Sequence, residues 1–93
     1  MPDEPENPDP FETMRADLAA LFNDLLLYRM PFGRYRGRAI IDLPLEYLAW
    51  FPERQGGFPS GRLGELMAFV AQTKADGAES IFIPLRKELR RTP

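Results

Sequence analysis

The chain has 93 residues, enough for one modest hydrophobic core but not for a separate substrate domain. Hydrophobic residues make up 44% and charged residues 28%, an ordinary soluble composition, and a net charge of −2 does not mark the whole molecule as a nucleic-acid binder. Cysteine and histidine are both absent, which excludes disulfides, thiolate metal sites and the commonest general base.

The charge is divided along the chain. Residues 1–28 carry seven acids and one base, residues 29–62 carry six arginines and three acids, and residues 63–93 carry five bases and four acids. An acidic start thus precedes a basic middle. No apolar run approaches the ~20 residues of a membrane helix. No apolar segment behind basic residues marks a secretory signal, so a cytoplasmic protein is expected.

In chain order, residues 1–8 (MPDEPENP) are acidic and proline-rich with nothing to bury, and read as a disordered tail. A single globular domain is expected over 9–91. Asp9 has the character of a helix N-cap, Pro10 suits the first helical position, and Glu12 stands at capping-box spacing. Met14, Leu18, Leu21, Phe22 and Leu25 then recur at helical spacing, and Pro31 requires the helix to end by about Tyr28.

The next segment is MPFGRYRGRAI. Gly33 and Gly37 bracket Arg34, Tyr35 and Arg36, which predicts a small hairpin or hairpin-like loop pairing about 30–33 with 38–41. Asp42, Leu43 and Pro44 start a second helix, whose Leu45, Tyr47, Leu48 and Phe51 form a wide apolar face, and Pro52 is expected to end it within a residue or two. The aromatics Tyr47, Trp50 and Phe51 are expected to dominate the core. A loop at 55–59 leads to Ser60 as the cap of a third helix carrying Leu63, Leu66, Met67 and Val70 inward. Asp76-Gly77 ends that helix. Residues 78–83 are ambiguous between helix and strand, and Leu85 to Arg91 form a last turn or two. The expected fold is α+β and mainly helical: three or four short helices with one small β-hairpin, and a core of Leu18, Phe22, Leu48, Phe51, Leu66 and Val70.

Chemistry is most plausible in the window Arg29–Arg38. Arg29, Arg34, Arg36 and Arg38 fall within it without one acid, and Phe32 and Tyr35 are interleaved. Arginine forks match phosphate, and an aromatic face can stack a base. The bland alternative pairs these arginines with Asp17 or Asp24 of the first helix and places Tyr35 and Phe32 in the core. Arg62, in SGRLG at the start of the third helix, is a second candidate phosphate contact, although the segment lacks the Gly-Lys-Ser/Thr ending of a Walker loop. Its bland alternative is a capped helix packed closely through glycine. Asp42 and Glu46 are spaced to share a magnesium ion, but Asp42 is also a natural cap. No nucleophile has a base beside it. A non-catalytic protein without metal or cofactor is expected.

The strings MPFGRYRGRAIIDLPLEYLAWF, GFPSGRLGELM and DGAESIFIPLR together resemble a small bacterial family of unknown function labelled a quorum-sensing-regulated virulence factor. The family pattern is approximately MPFGKYKG…LP..YL.WF…GFP.G.LG…NGL…PLR. The likeness covers about Met30 to Arg86. The first half is also similar to the C-terminal accessory segment of exodeoxyribonuclease-X-like 3′–5′ exonucleases, whose catalytic acids have no counterpart here. Carried over by position, the motif comprises Phe32, Gly33, Arg34, Tyr35, Arg36, Gly37, Leu43, Pro44, Tyr47, Leu48 and Trp50. Both lysines of the usual turn are arginine in this chain, which keeps the charge. The resemblance and the basic turn imply an accessory module that contacts nucleic acid weakly through Arg29, Arg34, Tyr35, Arg36, Arg38 and Arg62. The alternative is a protein-interaction adaptor, with an enzyme a distant third.

Overall fold

The computed structural model describes residues 9–91, so the expected tail at 1–8 lies outside the described residues. Helix α1 runs Pro10–Leu27, α2 Leu45–Arg54, α3 Gly61–Ala75 and α4 Ile83–Arg91, with one-turn 3₁₀ segments at Ile40–Asp42 and Glu79–Phe82. Among the described residues there is no strand, and the fold is all-helical rather than α+β.

The expected hairpin is replaced by a loop closed at one point. Arg29 and Ala39 form an isolated antiparallel bridge. Beside it the Met30 N–H donates to the Arg38 carbonyl at 2.8 Å and the Gly37 N–H donates to the Met30 carbonyl at 2.8 Å. Pairing stops there for physical reasons. Pro31 has no N–H to extend a ladder. Downstream, Asp42 and Leu43 donate to the carbonyls of Ala39 and Ile40, which coils the chain into a 3₁₀ turn. Ile40 and Ile41 are both fully buried, which a strand with alternating faces does not allow when only one face is covered.

The core gathers Leu25, Met30, Ile40, Ile41, Leu43, Leu48, Phe51, Leu66, Met67, Val70, Phe82 and Leu85. Leu48, Phe51, Leu66 and Val70 are therefore where the pattern put them. Phe22 only packs against the edge of the core, and Leu18 is 42% exposed. The entire first half of α1, residues 9–20, stands in water, and only its last turns meet α3 and α4. Trp50 is likewise outside the core, at 42% exposed.

The caps follow the sequence in part. Asp9 Oδ1 accepts from the Phe11 N–H at 2.9 Å, whereas Ser60 makes no side-chain capping bond. Asp42 does not cap α2; Pro44 occupies that position. Residues 41–43 are instead pinned from outside. Arg86 donates through Nε to Asp42 Oδ1 at 3.0 Å and through Nη2 to the Ile41 carbonyl at 3.1 Å. Lys74 Nζ donates to the Leu43 carbonyl at 2.9 Å. The segment that follows the basic turn is thus fastened to both α3 and α4.

Candidate functional site

The basic turn is two overlapping β-turns. The Arg36 N–H donates to the Gly33 carbonyl at 3.2 Å, and the Arg38 N–H to the Tyr35 carbonyl at 3.0 Å. Gly33 has a φ of +79°, and a Cβ built there would lie 3.2 Å from the Tyr47 hydroxyl. Conformation and space both select glycine.

An aromatic relay supports the turn. Tyr35 is half-buried and meets Tyr47 edge-on, with ring centroids 4.7 Å apart. Tyr47 meets Phe51 edge-on at 5.3 Å, and Phe51 stacks with Phe58 at 6.1 Å. Such contacts add to simple burial and fix ring orientation. The guanidinium carbons of Arg34 and Arg38 lie 5.5 and 5.7 Å from the Tyr35 centroid, within cation–π range. Burial, and then the neighbouring Tyr35, hold the Tyr47 phenol above the ordinary tyrosine range.

The six arginine and tyrosine candidates divide. Arg34, Tyr35, Arg36 and Arg38 share the turn, and the three arginines are exposed. None of the three forms an ion pair with a described residue. Arg29 lines a different depression with Asp42, Arg86 and Arg90. Arg62 is engaged: Nε donates to Asp24 at 2.7 Å and Nη1 to Glu65 at 3.0 Å. Its hydrogen bond to Asp24, then that to Glu65, raise its pKa and keep it charged. Asp24, one of the two acids that the bland alternative offered to the turn, thus holds α3 instead, and Asp17 forms no ion pair with the turn's arginines.

Beside the turn lies an open groove of about 620 Å³, walled by Phe32, Arg34, Tyr47, Trp50, Gln55 and Phe58. Arg34, Tyr47 and Trp50 also wall an adjoining depression of about 350 Å³ that includes Tyr35 and Glu46. Sequence reasoning placed Phe32 and Trp50 among the structural residues and passed over Gln55 and Phe58. One signal for Trp50 was present: it shares a face of α2 with Glu46 and Glu53, at i−4 and i+3, so that face was marked as solvated. Among the described residues no group of three or more acidic, histidine or cysteine side chains could hold a metal ion. No described helix is long and apolar enough to cross a membrane.

Residues 19–85 match a protein family described as "Putative quorum-sensing-regulated virulence factor". The chain belongs to this family. Relatives named "Uncharacterized protein YpeB", from Escherichia coli strain K12 and from Escherichia coli O157:H7, are each 50% identical over 60 residues, covering 64% of this chain and 82% of theirs. No solved structure matches the chain significantly. The span matched to the family contains the turn, α2 and the 55–59 loop, and its first residue falls close to where α1 passes from fully exposed to partly buried. The three motif segments PFG, YL.WF and GFP, distant in sequence, meet at the groove: Phe32 and Gly33 from the first, Tyr47, Trp50 and Phe51 from the second, and Gly57, Phe58 and Pro59 from the third.

Proposed function

We propose that the protein is a non-catalytic accessory module that binds nucleic acid weakly through phosphate contacts from Arg34, Arg36 and Arg38. One observation carries this reading: three guanidiniums stand in water on a rigid turn without a carboxylate partner among the described residues. Exposed arginines held in fixed positions are suited to bidentate phosphate contact. The net charge of −2 opposes long-range attraction, which makes the affinity modest and dependent on the local patch. The likeness of the turn and α2 to the accessory segment of exodeoxyribonuclease-X-like exonucleases agrees with this role. That likeness rests on the motif residues alone, and the matched family and relatives add nothing to it.

The test is a salt titration of labelled single-stranded oligonucleotide by fluorescence anisotropy. Each phosphate contact on a single strand contributes about −0.7 to the slope of log K against log salt. Arg34→Ala with Arg36→Ala removes two contacts, so the slope flattens by about 1.4. Absence of binding at ~50 mM salt overturns the proposal.

A second reading, a protein-interaction adaptor, is favoured by the first half of α1. Phe11, Met14 and Leu18 lie on one helical stripe and are 61%, 52% and 42% exposed. Capture of a partner protein that survives nuclease treatment and is lost with Phe11→Ser and Met14→Ser supports it.

A further inference from the structure

We propose that the groove framed by Phe32, Trp50 and Phe58 receives an unpaired nucleobase, so that the site takes single strands and strand ends in preference to uninterrupted duplex. The inference rests on the reading of the adjoining turn as a phosphate-binding element, and it assigns the stacking role to residues outside that turn.

Tyr35, the turn's own aromatic, is already occupied. Its ring packs edge-on against Tyr47, and the guanidiniums of Arg34 and Arg38 lie within cation–π distance. A base would have to displace those contacts to reach it. Phe32 and Trp50 are more open, at 43% and 42% exposed beside a cavity of about 620 Å³; Trp50 also meets Phe51 edge-on at 5.1 Å, but no cation lies over its ring among the described residues. That volume falls within the range of ligand-sized clefts. No acid lines this cavity, which suits an occupant tethered to phosphates.

The polar groups are few and placed at the edge. Arg34 lines both this cavity and the neighbouring depression, so a phosphate-binding cation stands beside an aromatic slot. Gln55 also borders the cavity and offers a donor and an acceptor to a base edge. An aromatic platform beside a basic track is the arrangement by which proteins hold single strands, since every base has a face to stack. Inside a duplex those faces are covered by their neighbours, and a base reaches such a slot only when it is unpaired or flipped out.

Trp50 is the one tryptophan in the chain, so its fluorescence reports on this groove and the depression that adjoins it. The full chain is titrated with oligothymidylate, with a blunt duplex of equal length, and with inorganic polyphosphate as a probe of charge only. Oligothymidylate is expected to quench Trp50 and to bind about tenfold more tightly than the duplex, while polyphosphate binds without quenching. By titration calorimetry, which needs no tryptophan, Trp50→Ala and Phe32→Ala each lower oligothymidylate affinity about tenfold and leave polyphosphate binding unchanged, and Trp50→Phe restores most of the loss. Both positions are exposed, and circular dichroism verifies that the variants fold. If duplex and single strand bind equally and Trp50→Ala changes nothing, while Arg34→Ala with Arg36→Ala still weakens both, the base slot is refuted and the phosphate turn stands. If none of the three probes binds, both readings fall together.

Discussion

Gly64→Ala tests whether the wall of the groove is set by backbone packed directly on backbone. Gly64 lies buried in the first turn of α3, and a Cβ there would be driven into the Pro59 carbonyl oxygen, with the carbonyl carbon at 2.9 Å and Phe58 Cβ at 3.4 Å. The obstacle is main chain, which cannot swing aside as the end of a long side chain can. Helix propensity argues in the opposite direction, because alanine is better than glycine in a helix interior by ~1 kcal/mol. Forcing extra volume into a packed site costs about 1–3 kcal/mol, and more where relaxation is blocked. The steric effect wins, and a net loss of about 2 kcal/mol is expected. In a domain of this size that lowers Tm by roughly 10 °C. Thermal melts followed by circular dichroism measure it, with urea midpoints confirming that the m-value is unchanged. Glu65→Ala, at the next and exposed position, is the control and shifts stability by no more than about 1 kcal/mol, the most that its exposed pair with Arg62 contributes. A Gly64→Ala protein that melts at or above the parent temperature would refute the close approach and leave helix propensity as the only operating effect.

Arg86→Met removes the bonds to Asp42 and to the carbonyl of buried Ile41, and is expected to cost about 1–2 kcal/mol in urea unfolding: the exposed pair with Asp42 contributes little, and most of the loss comes from the Ile41 carbonyl. Leu25→Ala, at a fully buried site, costs about 3 kcal/mol, whereas Leu18→Ala at a site 42% exposed costs less than about 1 kcal/mol; equal losses would place the first half of α1 in the core after all. Tyr47 holds its proton more tightly folded than unfolded, so its contribution is complete below the unfolded value of 10.0 and is lost as pH rises past it. Urea midpoints measured from about pH 9 to 11 fall for the parent chain, and Tyr47→Phe flattens that decline.

Much of the helical frame could be read from local chemistry. Asp9 and Pro10 start α1, Pro31 forbids its continuation, and Asp76-Gly77 closes α3, each by a rule that involves only near neighbours; Pro52 lies inside α2, which runs on to Arg54. The errors came where long-range contacts decide. Two glycines four apart and β-branched Ile40 and Ile41 suggest a hairpin, yet Pro31 and the cations of Lys74 and Arg86 draw the same residues into a 3₁₀ turn. Met14 and Leu18 carry the periodicity of a buried face, but periodicity identifies a stripe and not the presence of something to cover it. Trp50 shows the same gap from the other side: its size predicted burial, and the signal of its helical neighbours Glu46 and Glu53, which mark the surface it occupies, went unused. The basic window was visible as composition. That its arginines escape pairing while Arg62 is paired could not be read locally, because Asp24 and Arg62 are 38 residues apart.

The distribution of cations links the fold to the proposed function. Of twelve lysines and arginines, Arg15, Arg62, Lys74, Arg86 and Arg91 meet a carboxylate among the described residues. Three of these do structural work at long range: Arg62 joins α3 to α1, and Lys74 and Arg86 fasten the carbonyls of Leu43 and Ile41. Four of the remaining seven stand between Arg29 and Arg38. The chain therefore uses one set of cations to immobilise the segment after the turn and keeps another set in the turn free of acids. A turn already fixed by Gly33, by the Tyr35–Tyr47–Phe51 relay and by those two anchors loses little further freedom when its arginines engage a ligand. On the proposed reading, that low ordering cost is what three exposed guanidiniums would need in order to bind from so small a surface, since exposed charge pairs contribute only about 0–1 kcal/mol each when the groups must first be ordered.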